Sequence, residues 1–165
     1  MSQETRSESA ATGFDAHDHA HCKASSLRAA EALCAARKLQ LTPVRRRVLE
    51  ILLEAHEALG AYDVLARLAA EGLGSKPPVA YRALGFWVEQ GLAHRIEKLN
   101  AYVACAHPGR AHEAAFMICR DCGLVAEAES AAPLGASAGA AGFQIESVVI
   151  EAEGLCPKCI PEGRT

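Results

Sequence analysis

Aromatic residues are scarce in this chain of 165 residues, at 5% against 50% hydrophobic residues overall. Any core must therefore be assembled from Ala, Leu, Val and Ile. No run approaches about 18 consecutive apolar residues, which excludes an ordinary membrane-spanning helix. The stretch from Met1 to Ala20 is polar, acidic and His-containing, and it has neither the basic start nor the apolar segment of a secretory signal. These two absences lead us to expect a cytoplasmic protein with no membrane partner. An excess of positive charge is missing too, since the formal net charge is −3. Eight Lys+Arg face seven Asp+Glu between Leu41 and Asn100, and four face eight from Ala101 to Thr165. Nucleic acid could be held only by a local patch, and the first half is the place for it.

What is present is cysteine, seven in all. In a reducing compartment, cysteines at metal-ligand spacing point to a metal rather than to disulfides. Cys119-Arg120-Asp121-Cys122-Gly123 is one knuckle and Cys156-Pro157-Lys158-Cys159 the other. Two intervening residues let both thiolates of a tight turn reach one ion, and Gly123 and Pro157 suit such turns. Four thiolates complete a tetrahedron with no open position, so Cys119, Cys122, Cys156 and Cys159 predict a structural zinc rather than a catalytic one. One redox C-x-x-C beside a chance pair is the competing explanation. A redox pair belongs at a strand-to-helix step, and neither pair has that setting.

The pattern along the chain predicts an α+β protein in two parts. Residues 1–24 read as a flexible tail, in which His17, His19, His21 and Cys22 are either polar filler or a weak accessory metal site. Ser25-Ser26 are expected to cap an Ala-rich helix reaching Leu39. Thr42-Pro43 opens the next helix, with Val44, Val48, Ile51 and Leu52 as its apolar stripe. Arg45, Arg46 and Arg47 beside that stripe are a solvated face or a phosphate contact. A third helix is expected over Ala61–Ala70, with Val64, Leu65 and Leu68 inward. A fourth runs from Pro77-Pro78 to about Gln90, with Ala80, Leu84, Trp87 and Val88 buried. Two short alternating runs, His94–Lys98 and Tyr102–Cys105, form a hairpin around Leu99-Asn100. Helices followed by a two-stranded ribbon make a winged helix-turn-helix over residues 25–105. Residues 106–112 read as a hinge, and 113–165 as a small α/β domain. Its strands are expected at Ala115–Ile118 and Leu124–Ala128, a helix at Ser130–Ala141 and a β-rich run at Phe143–Glu151. A domain so short commonly needs a metal or a partner subunit.

Further ligand-type residues gather around the joint. His94 begins the wing, Cys105 ends it, His112 precedes the first strand of the second domain, and Glu127 follows the first knuckle. Thiolate and imidazole suit zinc, and a carboxylate completes a tetrahedron. Taken singly, His94, His112 and Glu127 could be solvated surface and Cys105 a small buried hydrophobe.

The segments Leu41-Thr42-Pro43 with Arg46 and Val48-Leu49, Gly60-Ala61-Tyr62-Asp63, and Lys76-Pro77-Pro78-Val79-Ala80-Tyr81-Arg82-Ala83-Leu84 resemble the ferric uptake regulator family. His112 through Cys119-x-x-Cys122-Gly123, and Glu151-x-x-Gly154-x-Cys156-x-x-Cys159, extend the resemblance to roughly Leu27–Cys159. The branch it leans toward is the zinc uptake regulators. The resemblance implies a homodimer whose second domain is the dimerisation domain. It implies a zinc-dependent repressor of zinc-acquisition genes that binds double-stranded operator DNA and holds two Zn2+ per chain. It makes His94, Cys105, His112 and Glu127 the regulatory site and Tyr62 and Arg82 candidates for reading bases, while Tyr81 is either a further contact to the DNA backbone or a core residue. An Arg early on a recognition helix can donate two bonds to guanine.

Three positions depart from the family pattern. Val79-Ala80-Tyr81-Arg82 stands where relatives read Thr-Val-Tyr-Arg, Ser147 replaces a frequent His, and Cys105 brings a thiolate to the hinge. The last two favour zinc over iron, manganese or peroxide sensing, which remain the alternative within the family. A zinc hydrolase or a zinc-storage protein using the tail is a more distant alternative, and no enzymatic activity is expected.

Overall fold

A computed structural model of the chain describes residues 19–54, 57–109, 114–129, 134–146 and 148–161. Five helices and six strands are present among them. Helix α1 covers His19–Ala36, so it begins six residues before the predicted Ser25-Ser26 cap, and Ser26 lies buried within it. His19 to Ala24 contain neither Gly nor Pro and two Ala, so nothing in the chain stops the helix there. The expected flexible tail therefore loses its last six residues to α1.

Helix α2, Pro43–Leu53, starts as predicted: Thr42 Oγ1 accepts the Arg45 N–H at 3.2 Å and Pro43 takes the first helical position. Val48, Leu49, Ile51 and Leu52 are its buried face. Helix α3, Ala61–Ala70, is opened by Asp63, whose carboxylate accepts the Gly60 N–H at 3.0 Å. The turn to α4, Pro77–Glu89, needs Gly74, which has φ 140° and where a Cβ would meet Val79 Cγ1 at 2.9 Å. Ala80, Ala83, Leu84, Phe86 and Trp87 of α4 are buried. Trp87 is fully enclosed and donates its indole N–H to Arg45 O at 2.7 Å, which ties α4 to α2. Val88, predicted to be buried, is 37% exposed. The inward arc of α4 runs through 80, 83, 84 and 87, and Val88 lies on its flank.

The wing is larger than the predicted hairpin. Strands β2 (Ala93–Ile96) and β3 (Ala101–Ala104) pair antiparallel, and a two-residue strand β1, Leu59–Gly60, adds to the outer side of β3. The second sheet has the order β5-β4-β6, from β4 (Ala114–Cys119), β5 (Val125–Glu129) and β6 (Ile150–Gly154). β5 is antiparallel to β4 and β6 is parallel to it. The β-rich run expected at Phe143–Glu151 is thus mostly not strand. The strand is Ile150–Gly154 instead, in the register that sets Gly154 beside Cys119. Helix α5 covers Gly135–Ala141, and the predicted start at Ser130 lies outside the described residues.

One core fills the helical part. A second cluster joins Ile96 and Val103 of the wing to Phe116, Ile118 and Val125 of the β4 sheet. Each such side chain stabilises its site by about 1.5–3 kcal/mol when fully buried. The wing therefore packs on the second sheet as well as on its own helices. No helix among the described residues is long and apolar enough to cross a membrane.

Candidate metal centre

The turn after β4 carries Cys119 and Cys122, and the turn after β6 carries Cys156 and Cys159. Since β4 and β6 are parallel neighbours, their C-terminal ends deliver both turns to one place. The four Sγ atoms all lie within 4.8 Å of one another, with Cys122 and Cys156 Sγ at 3.6 Å. Gly123 sits at φ 74° and closes the first turn through its N–H to Cys119 O at 3.0 Å. The Cys159 N–H to Cys156 O bond, 2.9 Å, closes the second. Backbone N–H groups of Cys122, Cys156 and Asp121 draw the Cys119 thiol down to about 6, and the Cys156 N–H lies 3.3 Å from that sulfur. Cys159 is pushed upward, first by the Asp121 carboxylate and then by Cys156. The quartet thus releases its first proton readily and holds its last, and a divalent cation would compensate the charge of all four thiolates. The donor set and its closed geometry fit a structural zinc.

The second cluster is assembled from three elements. His94 is on β2, Cys105 follows β3, and Glu127 is on β5. Their donor atoms also lie within 4.8 Å of one another. His94 Nε2 is 3.2 Å from Glu127 Oε1, and Cys105 Sγ is 3.9 Å from the same oxygen. The other carboxylate oxygen accepts the Ala106 N–H at 2.8 Å. Glu127 is 4% exposed and Cys105 3% exposed. Burial, and then the Glu127 carboxylate, push the Cys105 thiol up to about 12. A thiolate and a carboxylate this close and this buried would repel each other, so a cation between them is what would let both be ionised together. In a tetrahedral zinc site the donors stand roughly 3.3–3.8 Å apart, so N, S and O here fit such an ion after small movements. His112, the fourth residue of the expected set, lies outside the described residues.

The three candidates for DNA contact are all on the helical part. Tyr62, at the start of α3, is 67% exposed, Tyr81 is 43% exposed, and Arg82 is exposed on the first half of α4. The Arg45–Arg47 run is engaged within the helical part. Arg45 lies over the Phe86 ring at 3.7 Å, Arg46 pairs with Glu31 and Glu50, and Arg47 with Glu50, Glu54 and Glu71. The pairs of Arg46 and Arg47 bind α1, α2 and the α3–α4 turn together. His17 and Ser147 lie outside the described residues, and His21 is exposed on α1.

One contact was not foreseen. The Glu151 carboxylate, on β6, accepts the Glu97 N–H at 2.6 Å and the Lys98 N–H at 2.9 Å, at the wing turn. The family motif includes Glu151 without giving it a task, and no local pattern links residues 53 and 54 positions apart.

No family model matches the chain. The chain is 41% identical over 135 residues to the zinc uptake regulation protein of Escherichia coli (strain K12), covering 79% of each, and equally to that of Shigella flexneri. Among solved structures, a zinc uptake regulator complexed with zinc and DNA has a TM-score of 0.78 at 39% identity, covering 83% of this chain and 94% of that one. The holo form of XcZur has a TM-score of 0.73 at 39% identity, covering 82% and 96%. The ferric uptake regulator of Helicobacter pylori, at 16% identity and a TM-score of 0.52 over 93% and 99%, shares the fold.

Proposed function

This chain belongs to the zinc uptake regulators of the ferric uptake regulator family, and from that membership we propose that it is a zinc-responsive repressor of zinc uptake genes, binding operator DNA as a homodimer. The observation that carries the proposal is the buried His94–Cys105–Glu127 cluster, which spans the wing and the second sheet within 4.8 Å. Cys119, Cys122, Cys156 and Cys159 hold a permanent zinc that keeps β4 and β6 in register. His94, Cys105, Glu127 and His112 hold a second zinc whose occupancy follows the free metal. Bound zinc supplies the positive charge that lets a thiolate, an imidazole and a carboxylate share one buried space. The thiolate of Cys105 supports zinc over iron or manganese.

Residues 106–112 serve as the hinge, 113–165 as the dimerisation and metal domain, and the DNA-binding domain ends at Cys105. With the wing held against β5, the two α4 helices of the dimer would present Arg82 to major grooves about one turn apart, ~34–36 Å. Tyr62 and Tyr81 stand beside it. Moving from mostly off to mostly on requires about 5.5 kcal/mol of differential zinc affinity. The protein works in the cytoplasm and is not an enzyme: the relatives are regulators, and four protein ligands leave no position for a water nucleophile. The deciding experiment is an operator-binding titration against buffered free zinc, with iron and manganese in parallel. Binding that ignores zinc, or that follows iron at physiological buffering, would overturn the proposal.

A further inference from the structure

Strand β4 carries Phe116 at the middle of its sheet. Glu127 on β5 is its register partner on one side and Glu151 on β6 is its partner on the other. Residues in register share a face, so Glu127, Phe116 and Glu151 form a row across the sheet. Adjacent strands are about 4.8 Å apart, which separates the two carboxylate-bearing positions by about 10 Å. The wing strand β2 crosses that row. His94, at its start, lies 5.3 Å from the Phe116 ring and 3.2 Å from Glu127. Just beyond its end, Glu97 and Lys98 give their N–H groups to Glu151 at 2.6 and 2.9 Å. Three residues of strand also span about 10 Å, so β2 is gripped at both ends by two acidic residues of one sheet. Ile96 and Phe116 fill the space between.

We infer that Glu151 is a positioning residue of the regulatory switch: it is a metal-independent second anchor that fixes the wing in orientation once zinc has fixed it in place. The inference rests on the functional reading above. The ligands His94, Cys105 and Glu127 grip the wing at one end, and the apolar cluster around Ile96 and Val103 is non-directional, so on their own they resist a swivel of the wing only weakly. A second anchor about 10 Å away stops the swivel, so that zinc occupancy is converted into one fixed direction of α4. Lys98 also pairs with Glu153 at 3.1 Å, but both side chains are 40% exposed or more, and water screens that pair.

The test uses the full chain, wild type and the variants Glu151→Ala, Glu151→Gln and Glu153→Gln, each with its structural zinc retained. Amide exchange at Glu97 and Lys98 should accelerate in Glu151→Ala, with and without added zinc, and less in Glu151→Gln. Regulatory zinc affinity, measured by chelator competition, and operator affinity at saturating zinc should each fall about tenfold in Glu151→Ala, because the unanchored wing spends a smaller fraction of its time in the arrangement that both ligands require. Glu153→Gln should move neither by more than about twofold. Unchanged exchange at Glu97 and Lys98 in Glu151→Ala overturns the anchor. Faster exchange with both affinities unchanged overturns its role in the switch. If the wild type binds operator without regard to zinc, the functional reading fails, while the exchange measurement and the zinc competition still decide for or against Glu151.

Discussion

Cys119, Cys122, Cys156 and Cys159 come from two tight turns at one end of one sheet, whereas His94, Cys105 and Glu127 come from two different sheets. In the first site each pair is positioned by its own turn, and strand pairing between β4 and β6 brings the pairs together. In the second, the ligands meet only if the wing is seated on the second domain. The same metal would therefore have opposite effects in the two places. A site closed by local geometry consolidates the fold that is already there. A site closed by docking reports on the docking and can shift it.

The sharpest way to break this contrast is Cys156→Ser. Cys156 is 2% exposed, and structural zinc sites contribute about 10–16 kcal/mol of binding free energy that is also folding free energy. Loss of the structural zinc should unfold the second domain and abolish dimers, as read by metal content and sedimentation. A dimeric, fully zinc-loaded Cys156→Ser protein would contradict the assignment. Next in size is Cys105→Ser, which should keep one zinc per chain and the fold but remove the switch, about 5.5 kcal/mol in differential affinity. Full zinc-responsive operator binding by that variant would show that the regulatory ligands have been misassigned.

A smaller effect should come from Ile96→Ala. Ile96 is fully buried between wing and sheet, and removing such a side chain costs about 2–5 kcal/mol. The comparison predicts that regulatory zinc affinity falls with this loss while the four-cysteine site is untouched, so chelator competition should show one weakened zinc, not two. The gentlest test is pH. The Cys105 thiol, pushed up to about 12, stays protonated without zinc throughout the neutral range. Zinc must displace that proton, so regulatory affinity should rise about tenfold per pH unit between roughly pH 6 and 8. Since the folded value is raised, the protonated thiol favours the zinc-free fold at neutral pH, and that contribution disappears only as pH climbs toward about 12. A pH-independent regulatory affinity would argue against Cys105 as a ligand.

The two sites also differed in how far the sequence disclosed them. The knuckles are visible because C-x-x-C spacing acts within a single turn. His94, Cys105 and Glu127 could be suspected because they flank one joint, but the 3.2 Å approach of His94 to Glu127 depends on two sheets facing each other. Glu151 was unreadable for the same reason in stronger form: its partners are backbone N–H groups, which leave no trace in residue type. The helices α2, α3 and α4 followed their caps and periodicity closely. Helix α1 did not, since Ser25-Ser26 looked like a start only because Ser is a good cap, and nothing before it resisted helix. Strand β6 was displaced from the expected run because β propensity at Val148 and Val149 counted for less than pairing with β4. The partners of Arg46 and Arg47 were hidden in the same way: Glu31 on α1, Glu50 on α2 and Glu71 in the α3–α4 turn meet them through packing, which residue type alone does not announce.

The enclosure of Trp87 has a practical consequence. It is the single tryptophan of the chain, and all three tyrosines, Tyr62, Tyr81 and Tyr102, also lie no later than β3. Near-ultraviolet fluorescence and dichroism therefore come almost wholly from the helical part and its wing, with Trp87 emitting from a dry, fixed environment beside Arg45 O. The rest of the chain, which carries the four-cysteine cluster, has no Trp or Tyr and is nearly silent at those wavelengths. The intrinsic fluorescence of the unlabelled chain therefore reports on one part of the molecule alone.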